Sequence, residues 1–149
     1  MRSILGFVLL VVLSGCATSY VEPESAAAVG SMVNHQESVG QIASKARKHF
    51  ALSGFGITSD SGELIVTEKR FVRLSENDAD CGSTFGLDYL RDKRTHTEVS
   101  YTLVNEPGSL TVVANIDGEY RPGSVAQDLT LTCKSKGTLE RQLLDSIMN

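Results

Sequence analysis

Two stretches of strict alternation dominate what this chain can fold into. Thr97, Val99, Tyr101 and Leu103 alternate with His96, Glu98, Ser100 and Thr102; Leu110, Val112, Ala114 and Ile116 alternate with Thr111, Val113, Asn115 and Asp117. A period of two puts one set of side chains on each face of a strand. Between the stretches, Glu106-Pro107-Gly108-Ser109 offers Pro and Gly at the positions a type II turn favours. The two segments therefore read as adjacent antiparallel strands.

The flanking sequence supplies the rest of a small domain. Val39, Ile42, Ala43, Ala46 and Phe50 recur at helical spacing, with Ser38 as N-cap, Gly54 in the C-cap position and Phe55 able to pack back on the last turn. Residues 57–59 and 63–73 read as the arms of a hairpin turning through Asp60-Ser61-Gly62. Phe85, Leu87 and Tyr89 suggest a short strand, and Leu129, Leu131 and Cys133 share one face of a last one. Leu139, Leu143, Leu144 and Ile147 stripe a C-terminal helix beginning at Gly137 or Thr138, with Glu140 close to a capping-box position. Strands in an unbroken run joined by short turns argue for an antiparallel sheet. The expected fold is α+β in two layers: about five antiparallel strands, with an N-terminal and a C-terminal helix packed on one face.

The N-terminus carries a different kind of signal. Arg2 precedes an apolar run over 4–13, broken only by Gly6, and the small residues Ser14 and Gly15 lead to Cys16. That is the layout of a secretory signal peptide. A spanning helix needs about 20 apolar residues, twice what is present. Leu13-Ser14-Gly15-Cys16 resembles a bacterial lipobox at all four positions. The resemblance implies cleavage before Cys16, a diacylglycerol thioether on its sulfur, and acylation (palmitate or a similar chain) of the new amino group. Ala17, where inner-membrane lipoproteins of enteric bacteria carry Asp, implies the outer membrane. The expected organisation is a cleaved signal peptide over 1–15, a lipidated tether over 16–37, and a single periplasmic α+β domain over 38–149.

An oxidising compartment makes the remaining two cysteines, Cys81 and Cys133, read as a disulfide, with two unpaired thiols as the alternative. "GFGITSDSGELIV", "DADCG" and "LTCKSKGTLERQLLDSI" resemble a layout of small uncharacterised bacterial lipoproteins. The helix–sheet–helix order is also similar to the domains of BamC, an accessory lipoprotein of the outer-membrane β-barrel assembly machine.

Signals for chemistry are sparse. A formal charge of −4 gives no electrostatic footprint for nucleic acid. Lys45-Ala46-Arg47-Lys48 reads as the last turns of a helix, and Arg91-Asp92-Lys93-Arg94 as a solvated turn. His35, His49 and His96 lack metal-binding spacing. The acidic run Glu76-Asn77-Asp78-Ala79-Asp80 fails the EF-hand pattern, which would need Gly where Cys81 stands and Glu where Leu87 stands. Neither a Gly-x-Ser-x-Gly elbow nor a Walker lysine is present. No catalytic residue, metal site or cofactor is therefore expected. The partners expected are the lipid bilayer, through acyl chains on Cys16, and an envelope protein, with the chain serving as a protein-interaction or structural accessory. His96, Glu98, Ser100 and Thr102 would form a wet recognition face, or an ordinary solvated one. The alternative function is a small-molecule or lipid-binding module, its groove between helices and sheet lined by Phe50, Phe71 and Tyr101.

Overall fold

The computed structural model describes residues 20–24, 30–123 and 127–149. The expected signal peptide and Cys16 lie outside the described residues. The two alternating segments form the centre of the molecule as β9 (Thr95–Glu106) and β10 (Ser109–Tyr120), paired in register from Ser109↔Glu106 to Tyr120↔Thr95. Only Pro107 and Gly108 separate them, and Gly108 takes φ +90°, as the third residue of a type II turn requires.

Before this hairpin come β1 (Tyr20–Val21), β2 (Ser31–Asn34), α1 (Val39–Ser53), β3 (Ile57–Asp60), β4 (Leu64–Thr67) and β5 (Arg70–Phe71). Then follow β6 (Ala79–Asp80), β7 (Ser83–Thr84), β8 (Leu87–Asp88) and a 3-10 turn over Tyr89–Arg91. After it come β11 (Leu129–Thr132), β12 (Lys134–Ser135) and α2 (Thr138–Met148). The fold is α+β with antiparallel pairing throughout the described strands.

Among the described residues the main sheet has seven strands where about five were expected, because both central strands have a broken outer neighbour. Along one edge of β10, β2 pairs with 109–112 and β11 with 117–120. Along the far edge of β9, β4 pairs with 102–104 and β5 with 98–99, and β3 lies outside β4. The two gaps fall at the same level, on either side of the directly paired Tyr101 and Ala114. Each is closed by a side-chain oxygen. The Tyr101 N–H donates to Thr67 Oγ1 at 2.9 Å, and the Ala114 N–H donates to Glu140 Oε1 at 3.2 Å. A buried amide left unpaired would be costly, so these two residues complete the ladder where strands do not.

The core lies on the side of Val99, Tyr101, Leu103, Leu110, Val112 and Ala114, all buried. From α1, Ile42, Ala43, Ala46 and Phe50 are buried, and the Phe50 ring stacks on Tyr101 with centroids 6.1 Å apart. Ser38 caps α1 in a full capping box with Gln41, and Gly54 and Phe55 end it as expected. Asn105, buried on the apolar phase of β9, donates to the carbonyls of Val39 and Gly62, both at 2.9 Å. It thereby fixes the start of α1 and the β3–β4 turn to the sheet.

Several expectations need correction. The stretch 16–37 is not all tether, since Tyr20–Val21 and Ser31–Asn34 are strands. Tyr20 OH accepts from the Thr132 N–H at 3.0 Å, its ring lies 5.8 Å from that of Tyr89, and Lys134 Nζ donates to the Pro23 carbonyl at 3.0 Å. Residues 63–73 form two strands, broken at Glu68-Lys69. Residues 83–90 are a tight hairpin and a 3-10 turn rather than one strand: Phe85 and Gly86 take φ +48° and +77°, and Asp88 caps the turn through the Leu90 N–H. Tyr89 and Leu90 are then both buried, which no alternation allows. Lys45, Arg47 and Lys48 lie mid-helix, where Lys45 pairs with Glu37 and Arg47 with Asp60. Glu140 makes no cap; it is fully buried, and accepts from Ser135 Oγ at 2.7 Å as well as from Ala114.

Candidate functional site

The outward phase of the sheet divides into two halves. Pairing registers line up Met32, Thr111, Val104 and Leu64 across four neighbouring strands, and Val113, Thr102 and Val66 in the next row. Directly opposed side chains in a sheet stand about 5 Å apart, so the rows form continuous strips. Met32, Leu64 and Val104 are exposed. The other half is acidic. Asp117, Glu98 and Phe71 form one row and Glu119 and His96 another, around a shallow hollow of about 360 Å³ that also includes Arg121. Lys69 pairs with Asp117 at 2.9 Å and Arg121 with Glu119 at 2.6 Å. The Asp117 carboxylate raises the pKa of Lys69.

The recognition face read from His96, Glu98, Ser100 and Thr102 is thus brought together on one side of β9, although Ser100 itself is buried. The apolar strip beside it was missed. Its signal was available: Val104 and Val113 break the polar phase of their strands, and Val66 and Leu64 align with them once β4 is docked.

Of the residues proposed for a ligand groove, Phe50 and Tyr101 are stacked together in the core and Phe71 is apart from them. Phe50 is fully buried and Tyr101 nearly so, whereas Phe71 is exposed on the outward phase beside His96, ring centroids 5.9 Å apart. Burial, with the nearby charges of Glu140 and Asp78, pushes the Tyr101 phenol up to about 12. The cleft that remains between helices and sheet, lined by His49, Ser53, Phe55, Tyr101, Leu139 and Leu143 among others, is about 170 Å³. His49 meets Ser53 Oγ at 3.2 Å there, and burial lowers its pKa.

Cys81 and Cys133 are joined as a disulfide with Cα atoms 4.1 Å apart. Two glycines make room around it. A Cβ on Gly118 would stand 2.5 Å from Cys133 Sγ, and one on Gly82 would stand 2.3 Å from the Val21 carbonyl oxygen. Gly82 therefore lets β1 lie against the backbone next to Cys81. The acidic run forms a turn over 76–78 that leads into β6, and Asp78 accepts from the Ser75 N–H and hydroxyl, at 2.9 and 2.6 Å. Among the described residues no group of His, Cys, Asp and Glu could hold a metal ion, and no helix is long and apolar enough to cross a membrane.

Arg91 and Arg94 sit in the solvated turn expected of them, paired with Glu76 and Asp92. The Arg94 guanidinium, followed by its backbone N–H, holds the Asp92 carboxyl down to about 2 from an ordinary 3.8. A lowered carboxyl pKa stabilises the fold above the ordinary value, and the contribution disappears as pH falls through the folded one. Asp92→Asn should melt below wild type at pH 7 and converge with it between pH 3.8 and about 2; a gap constant across that range would contradict the assignment.

Comparison with protein-family models, curated proteins and solved structures gives no match.

Proposed function

We propose that this chain is a lipoprotein of the outer membrane, anchored through diacylglycerol and acyl chains on Cys16, whose disulfide-stapled domain is a protein-interaction or structural accessory of the cell envelope. In this reading residues 1–15 are a cleaved signal peptide and the domain faces the periplasm. The two helices cover one side of the sheet. The reading is supported by α1 meeting β9 through Phe50 and Asn105, and by α2 meeting β10 through Glu140.

The observation that carries the interaction role is the exposed strip of Met32, Val104 and Leu64, running into the acidic hollow around Glu98, Asp117 and Glu119. Apolar contact area bordered by charge is the usual anatomy of a specific protein contact. The partner it fits carries an apolar patch with a polar rim. The small size of the helix-side cleft, about 170 Å³, favours this reading over a ligand-binding module.

The test is photo-crosslinking in living cells from a probe at position 113, with Cys16→Ala as the control for anchoring. A discrete envelope protein should be captured, and less of it without the anchor. A charge set into the centre of the strip by Val104→Lys should lower capture about tenfold, the effect of ~1.4 kcal/mol in binding, without lowering the melting temperature. Capture indifferent to that substitution, or no captured protein at normal expression, would overturn the interaction role and return attention to the helix-side cleft.

A further inference from the structure

The hairpin of β7 and β8 ends in an exposed apolar tip. Phe85 is 78% exposed and Leu87 67%, and Val21 on the paired strand β1 is exposed as well. Phe85 also holds φ +48°, and it is the one non-glycine residue with positive φ among the described residues. A bulky aromatic in that region is a genuine outlier; Asn, Asp or Gly is the usual choice in such a turn. A strained side chain directed at solvent points to something outside the domain.

Chain connectivity says what lies there. Tyr20↔Thr84 and Val21↔Ser83 bind β1 to the hairpin, and Tyr20 is held by Thr132 and Tyr89. Cys16 is four residues before Tyr20. A fully extended chain gains at most ~3.6 Å per residue, so the Cys16 Cα lies within about 14 Å of the Tyr20 Cα. A tether of some twenty residues would leave the domain free to turn; β1 shortens it to three. The anchored end and the apolar tip then belong to the same side of the molecule.

We infer that the β7–β8 tip, through Phe85 and Leu87, inserts into the interfacial region of the membrane that holds the chain. This rests on the proposed acylation of Cys16. Interfacial segments bury apolar side chains about 5–10 Å into the headgroup and acyl boundary. Two side chains suffice because the anchor already supplies a high local concentration of bilayer. Beside Leu87 lies a hollow lined by Arg91, Lys93 and Arg94 against Asp88 and Asp92, and Glu76 pairs with Arg91, so the charges there balance. With no net charge beside the tip, the insertion is apolar in origin and persists in zwitterionic lipid. The tip fixes the orientation of the domain, presenting the sheet in one pose to its partner.

The chain contains no tryptophan, so a single substitution gives an unambiguous probe. Full-length Phe85→Trp and, separately, Leu52→Trp are expressed, purified from membranes and reconstituted into phosphatidylcholine vesicles with brominated acyl chains. Leu52 is a matched control, 79% exposed at the end of α1. Labelled palmitate incorporation is scored on each, and the melting temperature checks folding. The expected result is a blue-shifted emission for Phe85→Trp that loses most of its intensity to bromine, with Leu52→Trp unshifted and unquenched. Adding Leu87→Ser to Phe85→Trp should restore part of the emission. Incorporated palmitate with both probes unquenched, or both equally quenched, would overturn the tip insertion and leave the anchor standing. Absent palmitate would overturn the anchor and the inference together.

Discussion

Replacing Cys81 and Cys133 together by serine lowers the free energy of unfolding by roughly 4 kcal/mol, read as a fall in the denaturant midpoint with a steeper slope, because the unfolded chain without the cross-link is more expanded. The bridge joins residues 52 apart in sequence, and closing a loop of that size removes about this much chain entropy from the unfolded state. A second effect is local. Cys81 runs directly into Gly82, against whose Cα the Val21 carbonyl and the Tyr20 ring pack. Without the bridge, β1 should exchange its amide hydrogens faster than β9 and β10, which keep their own ladder. A midpoint shift worth less than about 1 kcal/mol would show that the bridge does not hold the domain together. Uniform loss of protection would mean that β1 is not a separate, bridge-dependent element.

The second large effect concerns Glu140. Glu140→Ala leaves the Ala114 N–H without an acceptor inside the sheet, takes the acceptor from Ser135 Oγ, and opens a void, costing about 3 kcal/mol. Glu140→Gln keeps an oxygen for Ala114, and the Ser135 hydroxyl can turn to accept from the new amide. It should lose clearly less than the alanine variant in the same denaturation series. Equal losses would show that the negative charge, rather than closure of the gap in the β10 edge, is what the fold requires. A neutral alanine variant would remove Glu140 from the account altogether.

What was legible in the sequence follows from length and period. The β9–β10 hairpin alternates over enough residues to specify both faces and the turn. The stripes of α1 and α2, the Ser38 cap and the cysteine pair were equally visible, each carrying a local physical signature. Strands of two residues cannot show a period, so β1, β6, β7 and β12 were invisible, and with them the docking of residues 20–21 onto the domain, while β5 and β8 were read only as parts of longer strands. Phe85, Leu87 and Tyr89 imitated alternation because a positive-φ turn between two short strands repeats the same spacing. Glu140 was misread because a carboxylate in the first turn of a helix looks the same whether it caps its own amides or reaches a strand. The apolar strip needed strand order as well as strand identity, since Met32, Val104 and Leu64 are neighbours only across the assembled sheet.

These features bear on one proposed picture, in which a lipid on Cys16 and the Phe85 tip would hold one side of the domain to the membrane while the sheet face remains open. The most direct test of its foundation is the intact mass of the protein extracted from membranes, with fragmentation of its N-terminal peptide. The account predicts a chain beginning at Cys16 and heavier than the polypeptide by a diacylglycerol and an acyl group, both located on that residue. A chain of bare polypeptide mass, or one that begins elsewhere, would contradict it.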